Sequence, residues 1–269
     1  GGVEIALLED KRLVELHQGK TESTHIVGDI YLGQVKKILP GLNAAFVDIG
    51  DEKEAFVHYL DLGLHFEAFD EFVRRLNPNT DAKGIYKHIK PEKILAKEGR
   101  IENVLTPGQM IIVQIVKEPI STKGSRLTAE ISLAGRNIVL LPFAEKVSVS
   151  QKISSKEEKR RLETLVKSIL PKNYGAIIRT AAEGKNAAVL DAEIISLIEK
   201  WENSWSKLAK SKGVQLLFTE YSKTTTILRD LLNDSFTNVY VNNENIYEET
   251  RKYISLISPE QEKIVKLYK

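Results

Sequence analysis

Three short apolar runs between residues 29 and 58 form the clearest hydrophobic pattern in the chain. Turns at Pro40-Gly41 and at residues 50–53 separate the runs, whose length and content of Val, Ile and Phe predict three antiparallel strands. Because side chains alternate between the two faces of a strand, small aliphatic residues share one face of the second and third strands and can fill a narrow barrel. The opposite face then carries Phe46, Phe56 and His58.

The pattern leaves two interpretations of Phe46 and Phe56 open. Aromatic side chains on the outer face of a sheet form a stacking platform for unpaired bases. Aromatic side chains are more often buried, however, and the two rings would then simply fill a core. The alternation of Ala and Val favours the platform without excluding the core.

Two further apolar runs, at residues 109–118 and 125–133, predict a fourth and a fifth strand. Five strands with a long insertion between the third and the fourth are typical of a small Greek-key barrel of the OB type. Barrels of this type commonly bind single strands of nucleic acid across one face. We therefore expect an OB-fold barrel over residues 28–133, with an insertion at about residues 62–100.

The insertion begins with a helical pattern and then becomes polar. Residues 65–76 predict a helix, whereas residues 77–100 are rich in lysine. A solvated loop is the simplest interpretation of this lysine-rich stretch. A mobile basic arm that contacts phosphate groups is the alternative, and the sequence does not decide between them.

Strands and helices alternate in the second half of the chain, which predicts mixed α and β structure. Helices are expected at residues 154–170, 187–211, 224–232 and 244–256. Ser155 and Glu158 have the spacing of an N-terminal capping box at the first of these helices. Short strands are expected at RNIVLLP, GAIIRT, VQLLFTE and NVYV.

The start of the chain predicts a β-hairpin at residues 3–17. Two strands alone are barely stable, so we expect this hairpin to join a larger sheet. The chain opens with Gly-Gly and its only methionine is Met110, so we expect a piece excised from a longer protein.

The composition limits the chemistry that this chain can perform. It has no cysteine, which excludes disulfides, thiolate zinc sites and cysteine nucleophiles and fits a reducing compartment. The formal net charge is only +2, so nucleic acid would have to bind at local patches. The five histidines lack metal-ligand spacing, and there is no Walker loop and no GxSxG motif. We therefore predict no catalytic residue, no metal site and, because no apolar run approaches roughly 20 residues, no membrane span.

The turn at Arg179-Thr180 is a second candidate binding site. The strand at residues 175–178 brings Arg179 and Thr180 together into a loop that contains Gly184. Arg presents a planar fork of donors suited to phosphate oxygens, Thr adds a hydroxyl, and a Gly-containing turn leaves backbone N–H groups free for an anion. These groups suit a small phosphate pocket. A solvated Arg at a strand end is the simpler alternative.

Four segments in this order resemble the bacterial ribonuclease E/G family. They are GDIYLGQVKKILPGLNAAFVDIGDEKEAFVH, KGSRLTAEISLAGRNIVLLP, GAIIRTAAEGKNAAVL and LRDLLND. The segments extend over nearly the whole chain, and four ordered motifs are far more specific than any one of them.

The resemblance implies an α+β multidomain architecture in which an RNase-H-like domain is split in sequence. Its two parts would be residues 1–27 and 225–269. An OB-fold RNA-binding domain of the ribosomal S-one kind, at residues 28–133, and a 5′-sensor α/β domain, at residues 134–224, would be inserted between them.

The resemblance also assigns site residues. Phe46 and Phe56 match aromatic residues that contact RNA in the family, and Lys123 matches a basic contact in the same domain. With His58, these residues are expected to bind single-stranded RNA. A pocket for a 5′-monophosphate is expected at the positions that match Gly135, Val139, Arg179 and Thr180.

By the same similarity, the parent protein is a Mg-dependent endoribonuclease of the cytoplasm that acts in rRNA processing and mRNA decay. In the family, Asp residues hold Mg²⁺ in a following DNase-I-like domain, and a Cys-based zinc link behind that domain serves assembly. This chain ends before that domain and contains no Cys. We therefore expect it to bind RNA without a cofactor of its own and without cleaving the RNA.

The expected partner is single-stranded RNA with a 5′-monophosphate. The parent is expected to form a homo-oligomer and this piece a monomer, and the lack of a scaffold tail favours a ribonuclease G-like parent. Two alternatives remain: a stand-alone, non-catalytic RNA-binding or translation-associated module, and an enzyme whose active site lies wholly within this chain.

Overall fold

The computed structural model describes residues 2–20, 25–91, 93–219 and 222–268. In chain order the described elements are β1 (Gly2–Glu9), β2 (Arg12–Lys20), β3 (Ile30–Leu39), β4 (Ala44–Asp48), β5 (Ala55–His58), α1 (Phe66–Arg75), α2 (Ala82–His88), β6 (Met110–Lys117), β7 (Arg126–Thr128), β8 (Leu133–Ala134), β9 (Ile138–Pro142), β10 (Val147–Val149), α3 (Lys156–Ile169), β11 (Tyr174–Ile178), α4 (Ala187–Lys210), β12 (Gln215–Phe218), α5 (Lys223–Leu231), β13 (Val239–Val241), α6 (Glu244–Ile257) and β14 (Val265–Leu267). The five helices expected from the sequence all form.

The chain divides into two compact units. One comprises Gly1–Thr24 together with Glu220–Lys269, and the other comprises His25–Thr219. Both contain helices and strands, so the α+β class predicted from the sequence is confirmed.

A closed barrel forms the first half of the larger unit. Its five strands follow the order β3-β4-β5-β7-β6, and β3 also pairs with β6, which closes the sheet. This closure is consistent with the OB-type barrel expected from the sequence. The interior holds small aliphatic side chains, including Ala45, Val47, Ala55 and Val57, none of which is exposed. Gly33 faces the same interior, where an added Cβ would lie 2.7 Å from a methyl carbon of Val47.

Two β-bulges change the alternation of side chains in the barrel. The register of β3 against β4 shifts between Val35 and Lys37, and that of β6 against β7 shifts between Ile115 and Lys117. Val35 and Ile115 are buried, so strict alternation would place both lysines in the barrel interior. The extra residue of each bulge turns the lysine outward instead, and both lysines are exposed.

The lysine-rich insertion does not form the solvated loop or the mobile arm expected from the sequence. It contains α2, and the side chains of Tyr86, Ile89 and Leu95 are buried. The Tyr86 hydroxyl donates to the Asn173 carbonyl at 2.9 Å, and the Asn173 side-chain amide donates to the carbonyls of Tyr86 and Ile89 at 2.8 and 2.9 Å. The insertion is therefore folded because a few apolar side chains between the lysines reach the core.

The second half of the larger unit is a four-stranded sheet in the order β10-β11-β9-β8, covered by α3 and α4. Its core is continuous with that of the insertion, because Phe69, Tyr86, Phe143 and Trp201 belong to one buried cluster. The expected strand VQLLFTE forms as β12 but pairs with β3 at the edge of the barrel sheet.

In its described residues, the smaller unit contains two separate pairs of strands. The hairpin of β1 and β2 forms as predicted, with Asp10 and Lys11 at positive φ in a two-residue turn. Its expected extension into a larger sheet is wrong for the described residues, in which this sheet has two strands. The described strands of the same unit, β13 and β14, instead pair in parallel with each other and pack on α6. Among the described helices, none combines the length and the apolar character needed to cross a membrane.

Candidate RNA-binding face and phosphate-binding loop

Phe46 and Phe56 lie side by side on the outer face of the barrel. They are cross-strand partners in β4 and β5, and their ring centroids are 6.3 Å apart at an interplanar angle of 67°. Both side chains are half-buried, whereas their neighbours Ala45, Val47 and Ala55 point into the barrel and are fully buried. The rings are therefore supported from behind and open to solvent in front, a geometry suited to stacking on bases.

His58 and Lys123 lie near this pair without joining it. His58 is two residues from Phe56 on the same face of β5, opposite Ala44, and its Nδ1 accepts the Leu60 N–H at 3.1 Å. The imidazole thus caps the N-terminus of the short helical turn that follows the strand. Lys123 is exposed in the loop before β7, whose residue Ser125 accepts the Phe56 N–H at 2.9 Å.

Three cations that sequence reasoning missed flank the two rings. Lys37 is the cross-strand partner of Phe46, and Arg126 is the partner of Phe56 on the other side. Lys117 is in turn the partner of Arg126. Strict alternation places both lysines inside the barrel, so only the bulges place them in this row.

The four candidate phosphate-binding residues meet at one end of the second sheet. Val139 in β9 pairs with Ala134 in β8 and with Ile177 in β11, and Arg179 directly follows β11. The Arg179 guanidinium donates from Nη1 to the Gly135 carbonyl at 2.8 Å, although 44 residues separate them. The sequence-predicted residues of this site are therefore close in the fold.

Two hydroxyl groups lie beside this arginine. The Thr180 and Ser150 hydroxyl oxygens are 3.0 Å apart and form a hydrogen bond at an exposed position. Ser150 follows β10, a strand that sequence reasoning did not predict. The Arg fork and the two hydroxyls are donors suited to the oxygens of a phosphate group.

The expected free backbone N–H group at Gly184 is not free, and neither are three N–H groups of the neighbouring segment 135–138. The Gly184 N–H donates to the Glu158 carboxylate at 2.8 Å, and the Gly135 N–H donates to the Ile138 carbonyl at 2.7 Å. The N–H groups of Asn137 and Ile138 both donate to the Glu193 carboxylate on α4, at 2.9 and 3.0 Å. The carboxylates of Glu158 and Glu193 and the Ile138 carbonyl already accept from these four amides, so none of the four is available to a bound anion.

Glu158 links the loop to α3. As the capping-box spacing predicts, Ser155 accepts the Glu158 N–H at 3.2 Å. The Glu158 carboxylate accepts from the Arg161 guanidinium at 2.7 Å and from the Gly184 N–H. Arg161 also donates to the Lys185 carbonyl at 2.9 Å. These hydrogen bonds, first from the Arg161 guanidinium and then from the Gly184 amide, lower the pKa of Glu158 to about 2.

The described residues include no group of three or more His, Cys, Asp or Glu side chains able to hold a metal ion. The two sites offer ring faces and phosphate donors. Such an arrangement can bind a single-stranded nucleic acid and an anion.

Comparison with known proteins identifies relatives of this chain. A family model described as the Ribonuclease E/G family matches residues 132–269. Ribonuclease G of Haemophilus influenzae is 34% identical over 264 residues, which are 98% of this chain and 50% of that protein. Ribonuclease G of Escherichia coli is 32% identical over 256 residues, 95% of this chain and 48% of that protein.

A third relative extends the similarity to the other branch of the family. Ribonuclease E of a Nostoc species is 32% identical over 231 residues, 86% of this chain and 30% of that protein. The chain spans about half the length of the ribonuclease G proteins that it matches. On the match of the family model and the similarity over nearly its whole length, this chain belongs to the ribonuclease E/G family.

Proposed function

We propose that this chain is the region of an endoribonuclease that binds single-stranded RNA and senses its 5′-monophosphate. The observation that carries the proposal is the Phe46–Phe56 pair, open to solvent on a closed barrel, in a member of the ribonuclease E/G family. The parent enzyme would act in RNA processing and decay in the cytoplasm.

The barrel would hold the RNA by stacking. Each base that stacks on an aromatic ring contributes about 1–3 kcal/mol, whatever the base, because every base has a π-face. Phe46 and Phe56 would take two bases, and His58 and Lys123 would contact the strand nearby.

The loop after β11 would bind the 5′ end. The guanidinium of Arg179 and the hydroxyl of Thr180 are the donors, the Ser150 hydroxyl supplements them, and Gly135 and Val139 line the site. A terminal monophosphate would accept a charge-assisted hydrogen bond from Arg179, whereas a 5′-hydroxyl offers no charge for it.

The cleavage step is proposed to lie outside this chain. The ribonuclease G relatives are about twice as long, and the other half of the parent would supply the Mg²⁺ site, a zinc link between subunits and the contacts of a homo-oligomer. The grouping of Gly1–Thr24 with Glu220–Lys269 supports a split RNase-H-like domain at residues 1–27 and 225–269. The barrel domain (28–133) and the 5′-sensor domain (134–224) would be inserted between its two parts.

Binding of short single-stranded RNAs that differ only at the 5′ end tests the proposal. A charge-assisted hydrogen bond contributes about 1.5–3 kcal/mol, so the monophosphate should bind roughly ten- to a hundred-fold more tightly than the hydroxyl. Arg179→Ala should abolish this preference and leave the affinity for the hydroxyl RNA unchanged. The control is Arg160→Ala, which removes an exposed arginine of α3 and should preserve the preference. A wild-type chain that binds both RNAs equally would contradict the 5′-sensing assignment.

A cleavage assay separates this proposal from an enzyme that is complete within the chain. The 269-residue chain is incubated with single-stranded RNA and Mg²⁺, and intact RNA is the expected result. Cleavage that Mg²⁺ chelation stops would place the active site in this chain and refute the proposed division of labour.

A further inference from the structure

The two phenylalanines belong to a longer row of residues that crosses the barrel strands. In cross-strand register the row is Lys37, Phe46, Phe56, Arg126 and Lys117, on β3, β4, β5, β7 and β6. Neighbouring strands lie about 4.8 Å apart, so the row is about 19 Å long and curves with the barrel surface. Its centre is aromatic and its ends are cationic.

The two bulges that create this row indicate that the row has a functional role. A bulge costs ladder hydrogen bonds and often serves to re-aim a side chain. Both bulges in the barrel have the same result, which is to move one lysine from the interior to the end of the aromatic row. Within the described part of the chain, neither Lys37 nor Lys117 has an anionic partner.

Arg126 differs from the lysines because its guanidinium is already held in place. Its Nε and Nη2 donate to one carboxylate oxygen of Asp61 at 3.2 and 3.0 Å. This ion pair partly neutralises Arg126 and so weakens its attraction for a phosphate group. It also orients a planar group beside Phe56, and guanidinium planes stack on bases.

We propose that this row is one RNA track that runs across the strands, with the phosphates of the RNA on Lys37 and Lys117 and bases stacked on Phe46, Phe56 and Arg126. The proposal rests on the proposed RNA-binding function. It adds three contact residues, Lys37, Lys117 and Arg126, and the path of the RNA across the β-strands. Lys36 lies outside the track, because Asp48 neutralises it at 3.6 Å and Gln34 accepts from it at 3.3 Å.

The salt dependence of binding distinguishes phosphate contacts from stacking. The probe is a labelled single-stranded RNA with a 5′-hydroxyl and about ten nucleotides, a length that one OB barrel can cover. Each phosphate contact to a single strand contributes about 0.7 to the slope of log K against log salt concentration. Lys37→Ala and Lys117→Ala should each lower the slope by about 0.7 and the affinity about five-fold at 0.1 M salt.

Arg126→Lys should behave differently. It keeps the charge and removes the plane, so the slope should stay constant while the affinity falls by about five-fold or more. Lys36→Ala is the matched control, since it removes an exposed lysine next to Lys37, and it should change neither quantity.

The outcomes separate the track from the function on which it rests. If Phe56→Ala weakens binding but Lys37→Ala and Lys117→Ala leave the slope unchanged, the track is wrong and the RNA-binding face stands. Equal effects of Lys36→Ala and Lys37→Ala also overturn the track, because they indicate general attraction by positive charge. If the wild-type chain binds no RNA, both proposals fail.

Discussion

At the scale of single residues, Phe46 and Phe56 contribute surface more than they contribute core. Neither ring belongs to the buried clusters that fill the barrel, although each is partly covered by the other. Removing a half-buried ring costs less stability than removing a core ring, which is worth about 3–5 kcal/mol. Binding and folding can therefore be separated at these positions.

Phe56→Ala should weaken RNAs with 5′-monophosphate and 5′-hydroxyl ends by the same factor, about five- to a hundred-fold, because it removes one stacking surface and leaves the terminal pocket intact. Fluorescence anisotropy with the two RNAs measures both affinities. Leu60→Ala is a control, because Leu60 is a large apolar residue close by that is 67% exposed and lies outside the row. An unchanged affinity of the Phe56 variant would mean that RNA does not contact this ring.

At the scale of elements, sequence patterns predicted the strands and the long helices. They missed the features that depend on contacts between residues far apart in the chain. The apolar run at residues 29–58 gave three strands, and the parity of Ala45 and Val47 correctly placed Phe46 outside. Helix α2 was missed because its one deeply buried anchor, Tyr86, lies among lysines.

Residues distant in sequence also determine the direction of Lys37 at its bulge and the hydrogen bond of the Gly184 amide. A bulge depends on the pairing of two strands, so alternation within β3 could not place Lys37. The Gly184 amide was expected to bind an external anion, and Glu158 on α3 took that position. Of the eight candidate positions, Lys123, Gly135 and Val139 could be chosen only with the family resemblance. Residue types alone indicated Arg179 and Thr180 only weakly, since Arg-Thr is a common dipeptide and an Arg at a strand end is usually solvated.

The Glu158–Arg161 pair makes the loop sensitive to acid. Because the folded-state pKa of Glu158 is about 2 and its ordinary value is 4.5, the contacts stabilise the loop fully above about pH 4.5 and are lost as the pH falls toward 2. Arg161→Ala should raise the pKa of Glu158 toward 4.5, since it removes the largest cause of the shift. A carboxyl-carbon NMR titration of both proteins measures the change. Arg160→Ala should have no effect, and a wild-type pKa near 4.5 would show that Glu158 does not hold the loop.

At the scale of the molecule, the barrel insertion and the second sheet of the larger unit share one core. Tyr86 on α2 packs at 4.3 Å from Phe143 and at 5.1 Å from Tyr174, measured between ring centroids. Burial in this cluster raises the pKa of Tyr86 well above its ordinary value. The two candidate sites therefore lie within one compact unit, His25–Thr219, whose parts should unfold together.

Asn173 tests this coupling. Asn173→Ala removes two buried hydrogen bonds to the insertion at a residue with φ of 66°, and should lower the free energy of unfolding by about 2–4 kcal/mol. Asn173→Gly removes the same bonds but tolerates the positive φ, so its loss should be smaller. Denaturant unfolding followed by tryptophan fluorescence reports on this unit alone, because the two tryptophans, Trp201 and Trp205, lie in α4. Losses below 1 kcal/mol for both variants would argue against the coupling.

The paired bulges also constrain how the length of the barrel strands can vary in evolution. Deleting the extra residue at Lys36 or at Val116 would remove the bulge and leave Lys37 or Lys117 on the outer face, because each lysine would then directly follow an inward-facing residue. Deleting Val35 instead would bring Lys36 into the inward position, and burying its ammonium group beside Val47 and Ile115 would cost several kcal/mol. Each bulge is therefore a position at which a barrel strand can lose one residue while its neighbours keep their faces and the outer surface keeps its charge.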